Sequence, residues 1–281
     1  MTIHPGALIG AIDTIEAAVQ KLQGRFRPPA MVEVANGVPM FRHEQYDDLL
    51  MSQLKCVRCM SLLRAGMLLL LNGFYQEVGV LCRCLSESVE DVMFLATPLG
   101  EDGRPSKAQA QLVTEFFQEE FEDPSKPLGS QNKRVRVSRD DVLAGIARID
   151  GNPLNPSDGK ALTRGLHLGY SGYVHGAYPH LMELFGAPPG EGGRPDTANG
   201  RYYMGGRMPL QRCAAMIPAL ISRAHNTAVA VSLVARRLNE ATVVDMLTPV
   251  INLLAKATGS DQVGDINRAA KDLKRGKPLS G

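Results

Sequence analysis

Residues 44–71 constrain this chain more than any other segment. Their apolar side chains recur at helical spacing with no proline among them, and the last turns, Met67-Leu68-Leu69-Leu70-Leu71, are apolar on every side. A helix that is apolar all round is expected to be buried all round. Asn72-Gly73 stops it, and the helical pattern resumes at Tyr75 and runs to Ala96, ahead of Thr97-Pro98. Two long helices joined by so short a break turn back on each other. The segment therefore predicts an antiparallel helical hairpin.

The period stays helical nearly throughout the rest of the chain. Further helices are predicted over residues 6–23, 106–121, 138–149, 158–174, 210–239 and 243–257. Ser138 opens the third of these in a capping box with Asp141 at the usual Glu position. Aromatic residues are only 5% and Trp is absent, a mixture that favours helices over a β-sandwich. Extended chain is expected only at residues 31–34 and at Arg201-Tyr202-Tyr203-Met204. Two segments read as linkers: residues 123–137 are polar with Pro124, Pro127 and Gly129, a mobile loop, and residues 186–209 are rich in Gly and Pro. The expected architecture is all-α, a helical bundle with the long Gly/Pro-rich loop inserted before its last long helix. Residues 1–41 form an N-terminal helix and connector, and residues 42–281 the bundle domain.

Charge narrows the partners. With 31 Lys and Arg against 29 Asp and Glu, the formal charge is +2, so any surface for a polyanion has to be a local patch. The stretch from Thr197 to Asn239 contains no acid while carrying Arg201, Arg207, Arg212, Arg223, Arg236 and Arg237, with Tyr202 and Tyr203 interleaved. Arginine beside aromatic rings suits phosphate contact and base stacking. Lys133, Arg134, Arg136 and Arg139 form a second basic cluster. The competing reading is that these arginines make no continuous patch and pair with the acidic helix face at Glu115, Glu119, Glu120 and Glu122.

No apolar run approaches the roughly 20 residues that cross a bilayer, and the N-terminus has no basic region, which predicts neither a secretory signal nor a transit peptide. A cytoplasmic protein without membrane contact is the expectation. Five cysteines, an odd number, agree with reduced thiols. Cys56, Cys59, Cys82 and Cys84 all fall in helical pattern without the tight turn that structural zinc sites need, so core packing is expected there, and neither metal nor cofactor.

Two polar stripes carry the candidate chemistry. Setting Arg83 at zero on a helical wheel, Glu87 falls at roughly 40° and Glu90 at roughly −20°, on a helix apolar over most of its surface. Setting Arg164 at zero, His167 falls near roughly −60°, Ser171 near −20° and His175 near +20°. His175-Gly176 ends that helix, with Tyr178 just beyond. A histidine held by a carboxylate is a candidate acid–base group. The plainer alternative makes both stripes solvent faces, with His175 a C-terminal dipole partner.

The residues also resemble a family. Leu62-Leu63-Arg64-Ala65-Gly66, Asn72-Gly73-Phe74-Tyr75 and Leu81-Cys82-Arg83-Cys84-Leu85-Ser86-Glu87 resemble the first helix pair of bacterial HEPN-like helical proteins. In those, a leucine-rich helix, a Gly-aromatic turn and an Arg-x-x-x-Glu helix recur. Tyr170-Ser171-Gly172-Tyr173-Val174-His175-Gly176 is similar to the Ser-x-x-x-His ending of their later helix, and the likeness covers about residues 62–184. The resemblance implies RNA or nucleotide binding, including a degenerate, metal-independent ribonuclease of a toxin or antiphage system, in a homodimer. His175 would be the base, Arg83 the cation at the phosphorane and Glu87 the acid that holds the histidine; Arg164, Ser171, Tyr178, Arg201, Tyr202 and Arg207 would bind. No arginine stands four to six residues before His175, where the nuclease members carry one. The second function class is a non-enzymatic helical protein–protein interaction module whose polar stripes are structural.

Overall fold

Why the chain folds as it does is clearest in its first helix. In α1, Pro5–Gln23, residues Leu8, Ala11, Ile12, Ile15, Ala18, Val19 and Leu22 recur three and four apart and are all buried. The computed structural model describes residues 5–34, 38–96, 104–119, 128, 136–147, 156–204 and 216–258. Nine α-helices lie in these: α1, then α2 Asp48–Leu71, α3 Tyr75–Ala96, α4 Lys107–Phe117, α5 Arg139–Ile146, α6 Pro156–His175, α7 Tyr178–Glu183, α8 Met216–Arg237 and α9 Ala241–Thr258. Strands are minor. β1, Ala30–Val34, pairs antiparallel with β2, Val38–Arg42, and β3, Phe185–Gly186, with β4, Arg201–Tyr202. The protein is mostly helical, and no helix among the described residues is long and apolar enough to cross a membrane.

The expected hairpin is α2 packed on α3. Asp47 begins it, its side chain accepting from Leu50 N at 2.8 Å, so α2 starts at Asp48 rather than at residue 44. Gly73, at φ 78°, ends it, and Phe74 N donates to Leu69 O at 2.9 Å. The apolar end of α2 is not buried all round: Met67 and Leu70 join the core, whereas Leu68 and Leu71 are each 64% exposed. The tip of a hairpin has neighbours on one side only, and the pattern of residue types does not say where the neighbours stop.

One apolar core joins α1, α2, α3, α8 and α9. Gly66 brings α2 close to α8; a Cβ there would stand 3.0 Å from Leu220. A second, smaller cluster, Met51, Phe94, Leu95, Leu112 and Val142, seats α4 and α5 on the flank of the hairpin. Ser106 and Gln109 close a capping box on α4, and Ser138 caps α5 through Asp141 N at 3.1 Å. Both helices are shorter than expected, ending at Phe117 and Ile146. The helix expected over residues 210–239 is described from Met216, residues 205–215 lying outside the described set. Within the Gly/Pro-rich stretch, residues 186–204 hold two single 3-10 turns and the β3–β4 pair.

Candidate functional site

The face of α3 that carries Gly79, Arg83, Ser86 and Glu90 receives α6. Gly79 makes that possible: a Cβ at this position would meet Tyr173 Cδ2 at 2.7 Å. One end of the contact is fixed there. At the other, His167 Nε2 lies 2.7 Å from Glu90 Oε1, with His167 7% and Glu90 8% exposed. Since an ionised carboxylate only accepts, Nε2 carries the proton of this hydrogen bond.

Around that pair an ionic cluster closes. Arg139, the first residue of α5, reaches Glu90 Oε2 through Nε at 3.1 Å and Nη2 at 2.5 Å, and Asp91 Oδ1 through Nη1 at 2.5 Å. Its Nη2 also donates to the Glu87 carbonyl at 2.9 Å. Lys55 of α2 completes the set, 2.8 Å from Asp91 Oδ2. Burial alone would lower the Arg139 pKa, but Asp91 and Glu90 outweigh it and raise it, so the guanidinium is held charged. Four helices thus send ionisable groups to one place. Each charge meets its opposite, which a low-dielectric site requires.

The predicted catalytic residues sit elsewhere. Arg83 Nη2 pairs with Glu87 Oε1 at 2.7 Å, as the four-residue spacing expects. His175 is exposed at the end of α6, makes no hydrogen bond or ion pair with either, and is followed by Gly176 at φ 61°, where the helix stops. The histidine that meets a carboxylate of α3 is His167, and the carboxylate is Glu90. Both residues were already on the two stripes, but the axial offset of α3 against α6 decides which ones touch. Arg139, Asp91 and Lys55 carried no such signal.

Of the predicted binding residues, Arg164 and Tyr178 are exposed and Ser171 is half-buried. Arg201 lies with its guanidinium 5.8 Å from the Tyr203 ring centre, and Tyr202 packs edge-on against Phe185 at 5.2 Å. Arg207 lies outside the described residues. Arg212 also lies outside the described residues, and the described arginines of the acid-free stretch are not all presented together: Arg223 turns inward to Ser86 Oγ at 2.7 Å and stacks over Tyr170, and Arg237 bonds Leu95 O at 2.9 Å and Asp48 at 2.7 Å. In the second cluster, Arg139 belongs to the buried network. The acidic helix face finds other partners, Glu115 accepting from Val137 N and Glu119 pairing with Arg42; Glu120 and Glu122 lie outside the described residues.

Cys56, Cys59 and Cys82 are core residues. Burial pushes their thiols up, to about 12 for Cys59 and about 11 for Cys82, and Cys56 well above its ordinary value. Such thiols are poor nucleophiles and poor ligands. Among the described residues no group of three or more His, Cys, Asp or Glu could hold a metal ion. Comparison with protein-family models, curated proteins and solved structures gave no match to this chain.

Proposed function

We propose that the chain is a HEPN-like helical bundle that works as a non-enzymatic interaction module, pairing with a second copy of itself through the surface of α6, α7 and β4. The observation that carries this reading is the kind of surface found there. Leu168 is 70% exposed, Tyr178 76% and Met204 89%, and Val174, Leu181 and Tyr202 are also exposed. Exposed large apolar side chains on these neighbouring elements suit a contact surface. Over residues 156–204 the charges cancel: Lys160, Arg164, Arg194 and Arg201 against Asp158, Glu183, Glu191 and Asp196. A surface of balanced charge can face its own copy without repulsion, whereas a polyanion binder needs excess cations. The acid–base groups on the inner side of α6 support the same reading, because His167 is buried against Glu90.

RNA or nucleotide binding is the second reading, favoured by Arg201 stacked on Tyr203 beside the exposed Tyr202. One set of measurements separates the two. Light scattering should give twice the 30.4 kDa chain mass for the wild type and the single mass for Tyr178→Glu/Leu181→Glu. A wild type that stays monomeric at about 100 µM, far above a micromolar dissociation constant, refutes the homodimer. Single-stranded RNA that binds at low salt and is released steeply as salt rises would replace this reading with the second one.

A further inference from the structure

A groove lies between the end of α1, the base of the β1–β2 hairpin and the start of α2. Its cavity is about 470 Å³, and a neighbouring one of about 250 Å³ shares Phe26, Arg27, Pro28, His43 and Leu50 with it. The larger volume suits a small organic ligand. Its floor is the Leu50, Leu54, Val57 stripe of α2, at the spacing that puts side chains on one helix face.

The connector over this floor is pinned rather than loose. Arg25 N and Phe26 N donate to Leu22 O and Gln23 O, and Arg25 pairs with Glu240 at 3.2 Å. Two polar features of the wall lack partners among the described residues. Arg27 is exposed at the rim with no carboxylate in ion-pair reach, and His43 stands beside it. Gln53 is 1% exposed; its Nε2 donates to Val19 O at 3.0 Å, but its Oε1 has no donor. The one acidic lining residue, Glu44, borders only the smaller cavity.

A cation at the rim and an apolar floor together define a ligand. We propose that this groove binds a small amphipathic carboxylic acid. Its carboxylate meets Arg27 and His43, and its apolar body lies along Leu50, Leu54 and Val57. A guanidinium and a carboxylate form a charge-assisted pair that a neutral analogue cannot make.

N-decanoylglycine has these parts, and N-decanoylglycinamide has the same tail and amide without the charge. Titration of each into the full chain, followed by methyl NMR signals of Leu50, Leu54 and Val57, tests the assignment. The acid should bind saturably and move these signals, with the neutral amide at least about tenfold weaker, a difference of one charged contact. Arg27→Ala should bring the acid to the level of the amide. Val57→Trp, at a position 41% exposed, should fill the groove and abolish binding while the helical circular dichroism is kept. Absence of saturable binding, equal affinity for acid and amide, or full binding by Val57→Trp would each overturn the proposal.

Discussion

Glu90→Ala removes the residue at the centre of the ionic cluster. Three contacts go with it, from His167 Nε2 at 2.7 Å and from Arg139 at 3.1 and 2.5 Å. Hydrogen bonds to charged groups contribute about 1.5–3 kcal/mol each, and leaving a buried partner unsatisfied adds desolvation. Two facts reduce the sum. Asp91 still holds Arg139, and the Arg139 side chain is 28% exposed, so water takes up part of its loss. Counting about 2 kcal/mol for the buried His167 bond and about 1 kcal/mol for the screened Arg139 pair gives about 3 kcal/mol. In a chain of this size that lowers Tm by about 6–12 °C. Thermal melts followed by circular dichroism read the shift. The companion variant His167→Ala should be non-additive with Glu90→Ala by about 1–2 kcal/mol, because both lose the same bond. A shift below about 2 °C for Glu90→Ala, against the range expected for a buried pair, would refute the idea that this cluster holds the helices together.

Two further variants probe the packing and the charge state. Gly79→Ala should lower stability by about 1–3 kcal/mol in urea melts, because the new methyl meets the root of the Tyr173 ring, and Gly79→Ala/Tyr173→Ala should recover part of it; a neutral single variant would mean that α6 moves aside freely. Burial lowers the His225 pKa, partly offset by the hydrogen bond with Asn226, so the unfolded chain takes up a proton there before the folded one does. That contribution to stability is complete above the unfolded value near about 6.5 and is lost as pH falls from there through the folded value. His225→Gln should therefore flatten the decline of stability below about pH 6.5, and an unchanged pH slope in the variant would exclude His225 as its source.

The hairpin was legible because its signals are local. The apolar run, the Asn72-Gly73 stop and Thr97-Pro98 mark helix ends without reference to any distant residue, and α3 spans the expected Tyr75–Ala96. The β1–β2 pair was half legible. Met31–Val34 looked extended, but Val38–Arg42 did not, although Asn36-Gly37 between two apolar stretches is a hairpin signal. The ionic cluster shows where local reasoning stops. A wheel assigns Glu90 and His167 to faces, but the height at which two helices cross comes from contacts such as Gly79 against Tyr173, 94 positions apart by their numbering. Arg139 follows a polar segment and sits at a helix start, a position that looks solvated in one dimension. Nothing in its neighbours along the chain announces that it faces Glu90 and Asp91.

The way α5 and α6 are fastened has a consequence of its own. The five rods of the main core are sealed by hydrocarbon, whereas α6 meets α3 through the His167–Glu90 bond and one glycine notch, and α5 adds the Arg139 contacts to its small apolar cluster. Hydrocarbon contacts carry no charge for salt to screen; these ionic clips do. Ionic strength thus acts more on the flank that bears the exposed tyrosine and leucines than on the central stack.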